Sequence, residues 1–383
     1  MHGKRKAPKK SIKNKTGNNS HRSKEAAMKA ARWYAARDIR VEDIEKPKAG
    51  PGEVVIQVKR CGICGTDIHD YMSGPHSIPV DKPDPLTGAT APITMGHELC
   101  GVITELGEGV TGWKPGDRVV IAPLQNCGKC YFCQRGLHHL CVVQAGLGLQ
   151  TKEGGFAEYC KVKDYQLRKM PDHMTYEQGA MVEPTCLAMY GIRRSHLQPG
   201  DTVLITGGGP IAALNMMCAF VAGAAKVYMT EKHPARIQKL LELGASEVFN
   251  VTEVDVLEEV MRRTDGLGVD IAIECTGSES GINLCFDAMR KQGCYVQSGL
   301  SLGEVKVRPW QWALKDINMI GLWCCNPYDY DNIIKLVADK RIDVTKLITK
   351  HIALEDVVAE GFECLARNKE KQEMKIQVIC NKD

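Results

Sequence analysis

The chain has 383 residues, of which 44% are hydrophobic and 25% are charged, as in an ordinary globular protein. One hydrophobic core rarely fills a chain of this length, so two domains are expected. No apolar run is long enough to cross a bilayer, and the start lacks a secretory signal, so a cytoplasmic protein without membrane partners is expected.

Positive charge is concentrated at the amino terminus. The net charge is +4, but residues 1–27 carry nine Lys or Arg and a single acid, so the remainder is mildly acidic. This segment has few aliphatic residues and is predicted to be a disordered basic extension. Its KRKAPKK run fits a nuclear-localisation patch or a nucleic-acid arm as well as a solvated tail. The acidic balance of the rest gives no reason to expect a nucleic-acid partner.

Residues 28–184 are predicted to form an antiparallel β domain of barrel type. Short β-like runs such as EVVIQVKRC and DRVVIA are interrupted by turn sequences such as AGPGE and WKPGD. This pattern differs from the regular strand–helix alternation of a parallel sheet.

A group of cysteines lies in the stretch NCGKCYFCQRGLHHLC. Their spacing lets four thiolates converge on one tetrahedral zinc, and four protein ligands leave no position for substrate, so this site is predicted to be structural. Disulfides are the alternative, but the CxxCxxC spacing and the lack of an export signal favour reduced thiols. His138 and His139 lie in the same stretch but are not predicted to be ligands, because four thiolates complete the coordination shell of the zinc. The predicted ligands are Cys127, Cys130, Cys133 and Cys141.

The pattern changes at about residue 185. Strand-like segments, among them DTVLIT, AKVYMTE and VDIAIE, alternate with helical stretches as far as residue 325. This alternation predicts an α/β domain with a doubly wound parallel sheet. Residues 326–383 contain amphipathic helices and a last strand, MKIQVIC, and are expected to return to the first domain.

A dinucleotide site is predicted where DTVLIT meets its helix. Gly207 and Gly209 begin a G-x-G-x-x-G/A pattern that lets backbone amides approach a pyrophosphate. Glu231 ends the next strand, where a carboxylate binds ribose hydroxyls and repels a 2′-phosphate. NAD is therefore expected, although Lys232 and Arg236 leave NADP open; the alternative is a turn that binds nothing. The predicted cofactor-binding residues are Gly207, Gly209, Pro210, Ile211, Ala212, Glu231 and Arg236.

A second set of metal-ligand types is spread over three segments. CGICGTDIHD contains Cys64 and His69, MGHELCG contains His97 and Glu98, and AMVEPT contains Glu183. A catalytic zinc needs about three protein ligands and one exchangeable position. A Cys, a His and a Glu would satisfy this requirement, but the residue types alone do not select which ones.

The motifs together resemble one enzyme family. CGICGTD, GHE, the four-cysteine stretch, GGFAEY, VEP and GGGPIA occur in this order over residues 28–380, as in zinc-dependent medium-chain alcohol and polyol dehydrogenases. The opening MKAARWY and the segment before GHE look most like the 2,3-butanediol dehydrogenases of that family. The resemblance implies a GroES-like catalytic domain, a Rossmann domain, NAD and two zinc ions per chain.

The resemblance also implies roles for residues. Cys64, His97 and Glu183 match the ligands of the catalytic zinc, and Glu98 matches a carboxylate near the metal. The chemistry of such a site suggests three further roles: Thr66 can receive the alcohol proton and relay it through the cofactor ribose to His69, and Asp67 can orient His97. The residues alone also allow a plainer interpretation of these three: a solvated histidine at position 69, a helix-capping threonine and a first-turn acid.

The expected activity is NAD-dependent oxidation of a secondary alcohol or vicinal diol, or reduction of a hydroxyketone such as acetoin. A sorbitol or threonine dehydrogenase is the nearest alternative, and a nucleotide-sensing or nucleic-acid-associated binding protein is the alternative from another class. The resemblance further implies a homodimer or homotetramer, for which VKVRPW, predicted to be an apolar strand, is a plausible contact surface.

Overall fold

A computed structural model describes residues 27–301, 303–368 and 372–383. The predicted basic extension therefore lies outside the described residues, except for Ala27. The strands before residue 170 are β1 (Ala27–Ala35), β2 (Asp38–Glu45), β3 (Glu53–Gly62), β4 (Ile93–Thr94), β5 (Glu98–Leu106), β6 (Arg118–Ile121), β7 (Leu124–Gln125), β8 (Ala145–Gly146), β9 (Tyr159–Lys163) and β10 (Leu167–Lys169).

The later strands are β11 (Thr202–Thr206), β12 (Lys226–Glu231), β13 (Glu247–Asn250), β14 (Val269–Glu274), β15 (Met289–Gln297), β16 (Asn318–Gly321), β17 (Ile348–Ala353) and β18 (Lys375–Ile379). The α-helices are α1 (Gly65–Ser73), α2 (Tyr176–Gly179), α3 (Val182–Arg194), α4 (Pro210–Ala222), α5 (Pro234–Glu242), α6 (Val256–Arg263), α7 (Glu279–Ala288), α8 (Pro309–Lys315), α9 (Tyr330–Ala338) and α10 (Glu363–Arg367).

The β-rich part is built on a seven-stranded sheet. Its order is β10-β6-β5-β3-β18-β17, with β9 also paired to β3. All of its pairs are antiparallel except that of β17 with β18. β18 thus lies between β3 and the edge strand β17, in a sheet formed mainly by residues before 170.

The second large sheet is parallel throughout, in the order β13-β12-β11-β14-β15-β16. Alternate residues of β11 enter different cores: Val203 and Ile205 pack with α3 and α4, whereas Leu204 packs with α6 and α7. Helices therefore cover both faces, which confirms the predicted doubly wound sheet. The strand order reverses at β11, where dinucleotides bind in sheets of this topology.

The prediction of a strand at VKVRPW is wrong. The residues from 304 to 308 form neither strand nor helix, and Pro309 begins α8. The backbone of Lys306 hydrogen-bonds instead to side chains of α7, with its N–H donating to Glu279 and its carbonyl accepting from Asn283. The alternating valines pack beside the core of that helix, so their period of two reflects packing rather than sheet pairing.

Helices long and apolar enough to cross a membrane do not occur in the described ranges.

Phe362 joins the carboxyl-terminal segment to the β-rich part. Its ring is fully buried and lies 5.2 Å from that of Tyr71 and 5.8 Å from that of Phe156, between ring centroids. Phe362→Ala should lower the free energy of unfolding by about 3–5 kcal/mol, because it removes buried apolar surface and leaves a cavity. Chemical denaturation measures this. Tyr328→Ala, at a side chain that is 64% exposed, is the control and should change stability by less than about 0.5 kcal/mol.

Candidate metal centre and cofactor site

The pairing of β3 with β5 brings three predicted metal-site residues together. Gly62 is opposite Glu98 in this antiparallel pair, so Cys64, two residues further along, is carried towards His97, one residue before β5. Ligand atoms of Cys64, His97 and Glu98 all lie within 4.8 Å of one another. Sulfur, imidazole and carboxylate donors are those that zinc binds in proteins.

Asp67 lies behind this cluster. Its Oδ1 is 3.5 Å from Nδ1 of His97, and its Oδ2 accepts a hydrogen bond of 2.9 Å from the backbone N–H of Cys64. Asp67 is fully buried, holds the backbone of Cys64 and faces Nδ1 of His97, which leaves Nε2 of His97 as the nitrogen available to a metal. This placement is the one required for the predicted orienting role.

The protonation of His97 is governed by its neighbours. Burial disfavours the imidazolium, but the negative charges of Asp67 and Cys64 outweigh burial and hold the pKa of His97 well above its ordinary value. The nitrogen aimed at the cluster therefore has strong affinity for a cation, whether a proton or a metal ion.

Thr66 and His69 lie on α1. Cys64, rather than Thr66, is the N-cap of this helix, so the capping interpretation of Thr66 is wrong. The hydroxyl of Thr66 lies 3.8 Å from the sulfur of Cys64. His69 is exposed one turn further along the same helix. The two residues thus span the distance from the cluster to solvent, and their role as a relay stays a prediction.

Glu183, the predicted third ligand, is not part of the cluster. It lies in the first turn of α3 and is half-buried. Burial raises the pKa of Glu183 to about 7, although the charge of His97 lowers it. Glu183 is therefore near enough to interact electrostatically with the cluster, while Glu98 occupies the close position in the structure.

Sequence reasoning missed one residue of this region, Lys375. Its ammonium group donates a hydrogen bond of 2.6 Å to Glu98 Oε1, and the side chains of Lys375 and Glu98 are 3% and 1% exposed. The sequence feature that could have indicated its role is the position of a lysine within the apolar strand MKIQVIC. A lysine buried in such a strand is almost always paired with an acidic residue. The partner, however, is 277 residues away in the chain.

The four-cysteine stretch folds into a separate lobe. Ligand atoms of all four cysteines lie within 4.8 Å of one another. The sulfur of Cys133 lies 3.5 Å from that of Cys130 and 4.0 Å from that of Cys127, and sulfurs bound tetrahedrally to zinc are about 3.8 Å apart. No disulfide joins them. The arrangement fits the predicted structural zinc.

The two histidines of the lobe are directed elsewhere. His139 Nε2 lies 3.1 Å from the hydroxyl of Tyr190 on α3, and the ring of His138 packs against Tyr328. Neither belongs to the group of possible ligand atoms formed by the four cysteines, in agreement with the predicted ligand set, which contains no histidine.

The Gly-rich turn connects β11 to α4. Gly207 has a φ of +91°, which favours glycine, and Gly209 is the N-cap with Pro210 at the first helical position. Ala212 is buried against the sheet and Ile211 is half-buried. The turn thus has the glycine conformation, the helix N-terminus and the close helix–sheet packing that a pyrophosphate site requires.

Glu231 lies at the end of β12 beside this turn. Its Oε1 accepts hydrogen bonds from the N–H groups of Lys232 and His233. A Cβ atom added at Gly208 would lie 2.6 Å from Oε2. Arg236 lies 3.8 Å from the same oxygen. The carboxylate is therefore held at the turn, with a guanidinium next to it.

Comparison with known proteins agrees with this geometry. The family description "Alcohol dehydrogenase GroES-like domain" matches residues 50–172, and "Zinc-binding dehydrogenase" matches residues 210–339. The chain is 41% identical to (R,R)-butanediol dehydrogenase of Bacillus subtilis (strain 168), over 92% of this chain and 100% of the relative. The chain belongs to the zinc-containing medium-chain dehydrogenases.

Other members are also similar. A sorbitol dehydrogenase of the same Bacillus strain is 31% identical, over 86% of this chain and 91% of the relative. The crystal structure of 2R,3R-butanediol dehydrogenase from Bacillus subtilis has a TM-score of 0.87 at 40% identity, covering 92% and 100% of the two chains. A zinc-binding dehydrogenase from Sinorhizobium meliloti 1021, solved with NADP, has a TM-score of 0.83 at 30% identity, covering 92% and 99%.

These findings confirm the GroES-like and Rossmann fold classes and a zinc-dependent oxidoreductase that uses a nicotinamide cofactor. Its substrates are small alcohols or diols.

Cys130 provides a pH-dependent test of the lobe. Hydrogen bonds from the backbone amides of Cys133 and Val142 lower the pKa of Cys130 to about 6. In protein stripped of metal, alkylation of Cys130 should be fast at neutral pH and slow about tenfold per pH unit below about 6, because only the thiolate reacts. Mass spectrometry of alkylated peptides measures the rates. Cys61, whose pKa burial raises well above its usual range, is the internal control; preferential labelling of Cys61 would contradict the assignment.

Proposed function

We propose that this dehydrogenase interconverts a vicinal diol of the 2,3-butanediol type and its hydroxyketone, with NAD as the hydride acceptor. The observation that carries the proposal is the cluster of Cys64 and His97 with Asp67 behind it, in a chain 41% identical to a butanediol dehydrogenase over 92% of its length. The same site in a sorbitol dehydrogenase is the second candidate, because such relatives are also similar over most of their length.

In this proposal Cys64, His97 and Glu183 would hold the catalytic zinc, and Cys127, Cys130, Cys133 and Cys141 a structural one. Zinc supplies Lewis acidity towards the alcohol, and the nicotinamide accepts the hydride. Asp67 keeps His97 in the orientation that presents Nε2. The Thr66 hydroxyl would accept the proton that the alcohol loses while giving up its own, and the exposed His69 would release a proton to solvent.

The preference for NAD follows from Glu231. Its carboxylate is fixed beside the turn by two backbone N–H groups, where it can accept hydrogen bonds from both ribose hydroxyls. A 2′-phosphate would face this negative charge. Arg236 is the group that opposes the preference, and its contact with Glu231 reduces the positive charge it offers to a phosphate.

A homodimer or homotetramer is also proposed. The outer strand β16 and helix α8 present apolar side chains to solvent, namely Met319, Trp310 and Leu314, which are 49%, 60% and 65% exposed. A group of exposed apolar side chains at a sheet edge is typical of a contact between subunits.

A cytoplasmic location is proposed because all 17 cysteines are free thiols, as in reducing compartments.

A substrate panel tests the activity. With NAD, kcat/KM for 2,3-butanediol should exceed that for sorbitol and for threonine by at least about tenfold, because a pocket matched to a short diol loses binding energy with a longer or charged substrate. A preference for sorbitol would select the second candidate.

Metal content tests the two zinc sites. The purified enzyme should hold about two zinc ions per chain, and Cys64→Ala should hold one and lose at least about a thousandfold in kcat, because the Lewis acid is absent. Cys61→Ala, at a buried thiol outside the cluster, is the matched control and should keep both ions. Full turnover after removal of all metal by a chelator would contradict the proposal.

Cofactor specificity tests Glu231. Glu231→Ala should lower the ratio of kcat/KM for NAD to that for NADP by at least about tenfold, since repulsion of the phosphate and the ribose hydrogen bonds are both lost. Steady-state kinetics with each cofactor measure the ratio. Glu242→Ala, at an exposed glutamate of α5, should leave it unchanged. A wild-type enzyme that prefers NADP would reverse the assignment.

A further inference from the structure

Lys375 and Glu98 form a buried ion pair next to the metal cluster. The ammonium group of Lys375 bridges both carboxylate oxygens of Glu98, and its bond to Oε1 is 2.6 Å long. It also donates to the backbone carbonyl of Ile63 at 3.1 Å. The ammonium therefore makes two hydrogen bonds, to Glu98 and to the backbone of Ile63, and an ion-pair contact with the second oxygen of Glu98.

The backbone of β3 holds the carboxylate from the other side. Gly62 is directly opposite Glu98 in the β3–β5 pair. A Cβ atom at this position would overlap Oε2 of Glu98 and lie 3.3 Å from Cε of Lys375. The missing side chain at Gly62 thus provides the space in which the carboxylate meets its lysine, and the position of Glu98 is fixed by β3 and β18 together.

Glu183 is in a different situation. Among the residues that the structure describes, none donates a hydrogen bond to its carboxylate, and it is absent from the ion pairs. Besides Asp67, two glutamate carboxylates therefore lie near Cys64 and His97. One is bound by a buried lysine, and the other is free to bind a cation.

We propose that Lys375 is a positioning residue that retains Glu98 as its counter-ion and thereby withholds this carboxylate from the metal. The third ligand position then belongs to Glu183, and a fourth position remains open to substrate. This inference rests on the proposed function, and in particular on the ligand set Cys64, His97 and Glu183. Without Lys375, Glu98 would be an unpaired buried anion within 4.8 Å of two ligand atoms, and binding the cation would be its most favourable outcome.

A fourth protein ligand would change the kind of site. Zinc held by four side chains is closed, whereas catalytic zinc keeps an exchangeable position. Loss of the lysine should therefore make the metal more tightly held and the enzyme less active. A purely structural role of Lys375 predicts the opposite for the metal, because loosening of the site would speed its release.

The experiment measures release of zinc from the holoenzyme to a chelator, together with kcat. Lys375→Met has similar volume without the charge, and should release the catalytic zinc about 10- to 100-fold more slowly while kcat falls at least tenfold. Lys375→Arg keeps the charge and should resemble the wild type. Lys350→Met, on the neighbouring strand β17 and paired with Glu360 at the surface, is the matched control and should also resemble the wild type.

Changes of the two carboxylates complete the test. Glu98→Gln and the double variant K375M/E98Q should release zinc at about the wild-type rate, whereas Glu183→Gln should release it at least tenfold faster. Wild-type release from Lys375→Met, or release from Glu98→Gln as fast as from Glu183→Gln, would overturn the inference. If Lys375→Met does not fold, the rates of zinc release from Glu98→Gln and Glu183→Gln still test which glutamate is the ligand. A wild-type enzyme without zinc-dependent turnover would refute the proposed function instead, independently of the lysine variants.

Discussion

The register between β3 and β5 is the constraint on which the site depends. With Gly62 opposite Glu98, the residues just beyond the two strand ends, Cys64 and His97, are brought within ligand distance. A shift of one residue would turn these side chains to opposite faces of the sheet. Asp67 reinforces the arrangement, since one carboxylate contacts both His97 and the backbone of Cys64.

The end of the chain completes this sheet. β18 pairs with β3 on the side opposite to β5, so Lys375 reaches Glu98 from across the central strand. A site that combines Cys64, His97 and Glu98 with Lys375 assembles only when β3, β5 and β18 have paired. The charge of the lysine also offsets part of the negative charge collected around the cluster by Cys64, Asp67 and two glutamates.

The two candidate metal centres differ in how they are built. The four-cysteine lobe comes from one short stretch, in which backbone amides that point at Cys130 favour its thiolate. The cluster at Cys64 and His97 comes from residues next to separate strands, and burial raises the pKa of the nearby Glu183 to about 7. The first arrangement suits a closed structural ion, and the second suits an ion that must exchange one ligand during turnover.

The sequence by itself determined what depends on neighbours in the chain. The four-cysteine lobe, the turn at Gly207 with Glu231 one strand later, and the doubly wound sheet are local patterns, because ligand spacing, glycine conformation and β–α alternation act over a few to a few tens of residues. The strand prediction at VKVRPW was wrong for the same reason. The alternation of apolar residues is local, and it did not reveal that side chains of α7 would hydrogen-bond to the backbone of this segment. Only the tertiary structure decided that Glu98 lies closer to Cys64 and His97 than Glu183 does, and that Lys375 is its partner. A contact such as that of Glu98 with Lys375, 277 positions apart, is set by sheet order and register, which no local pattern encodes.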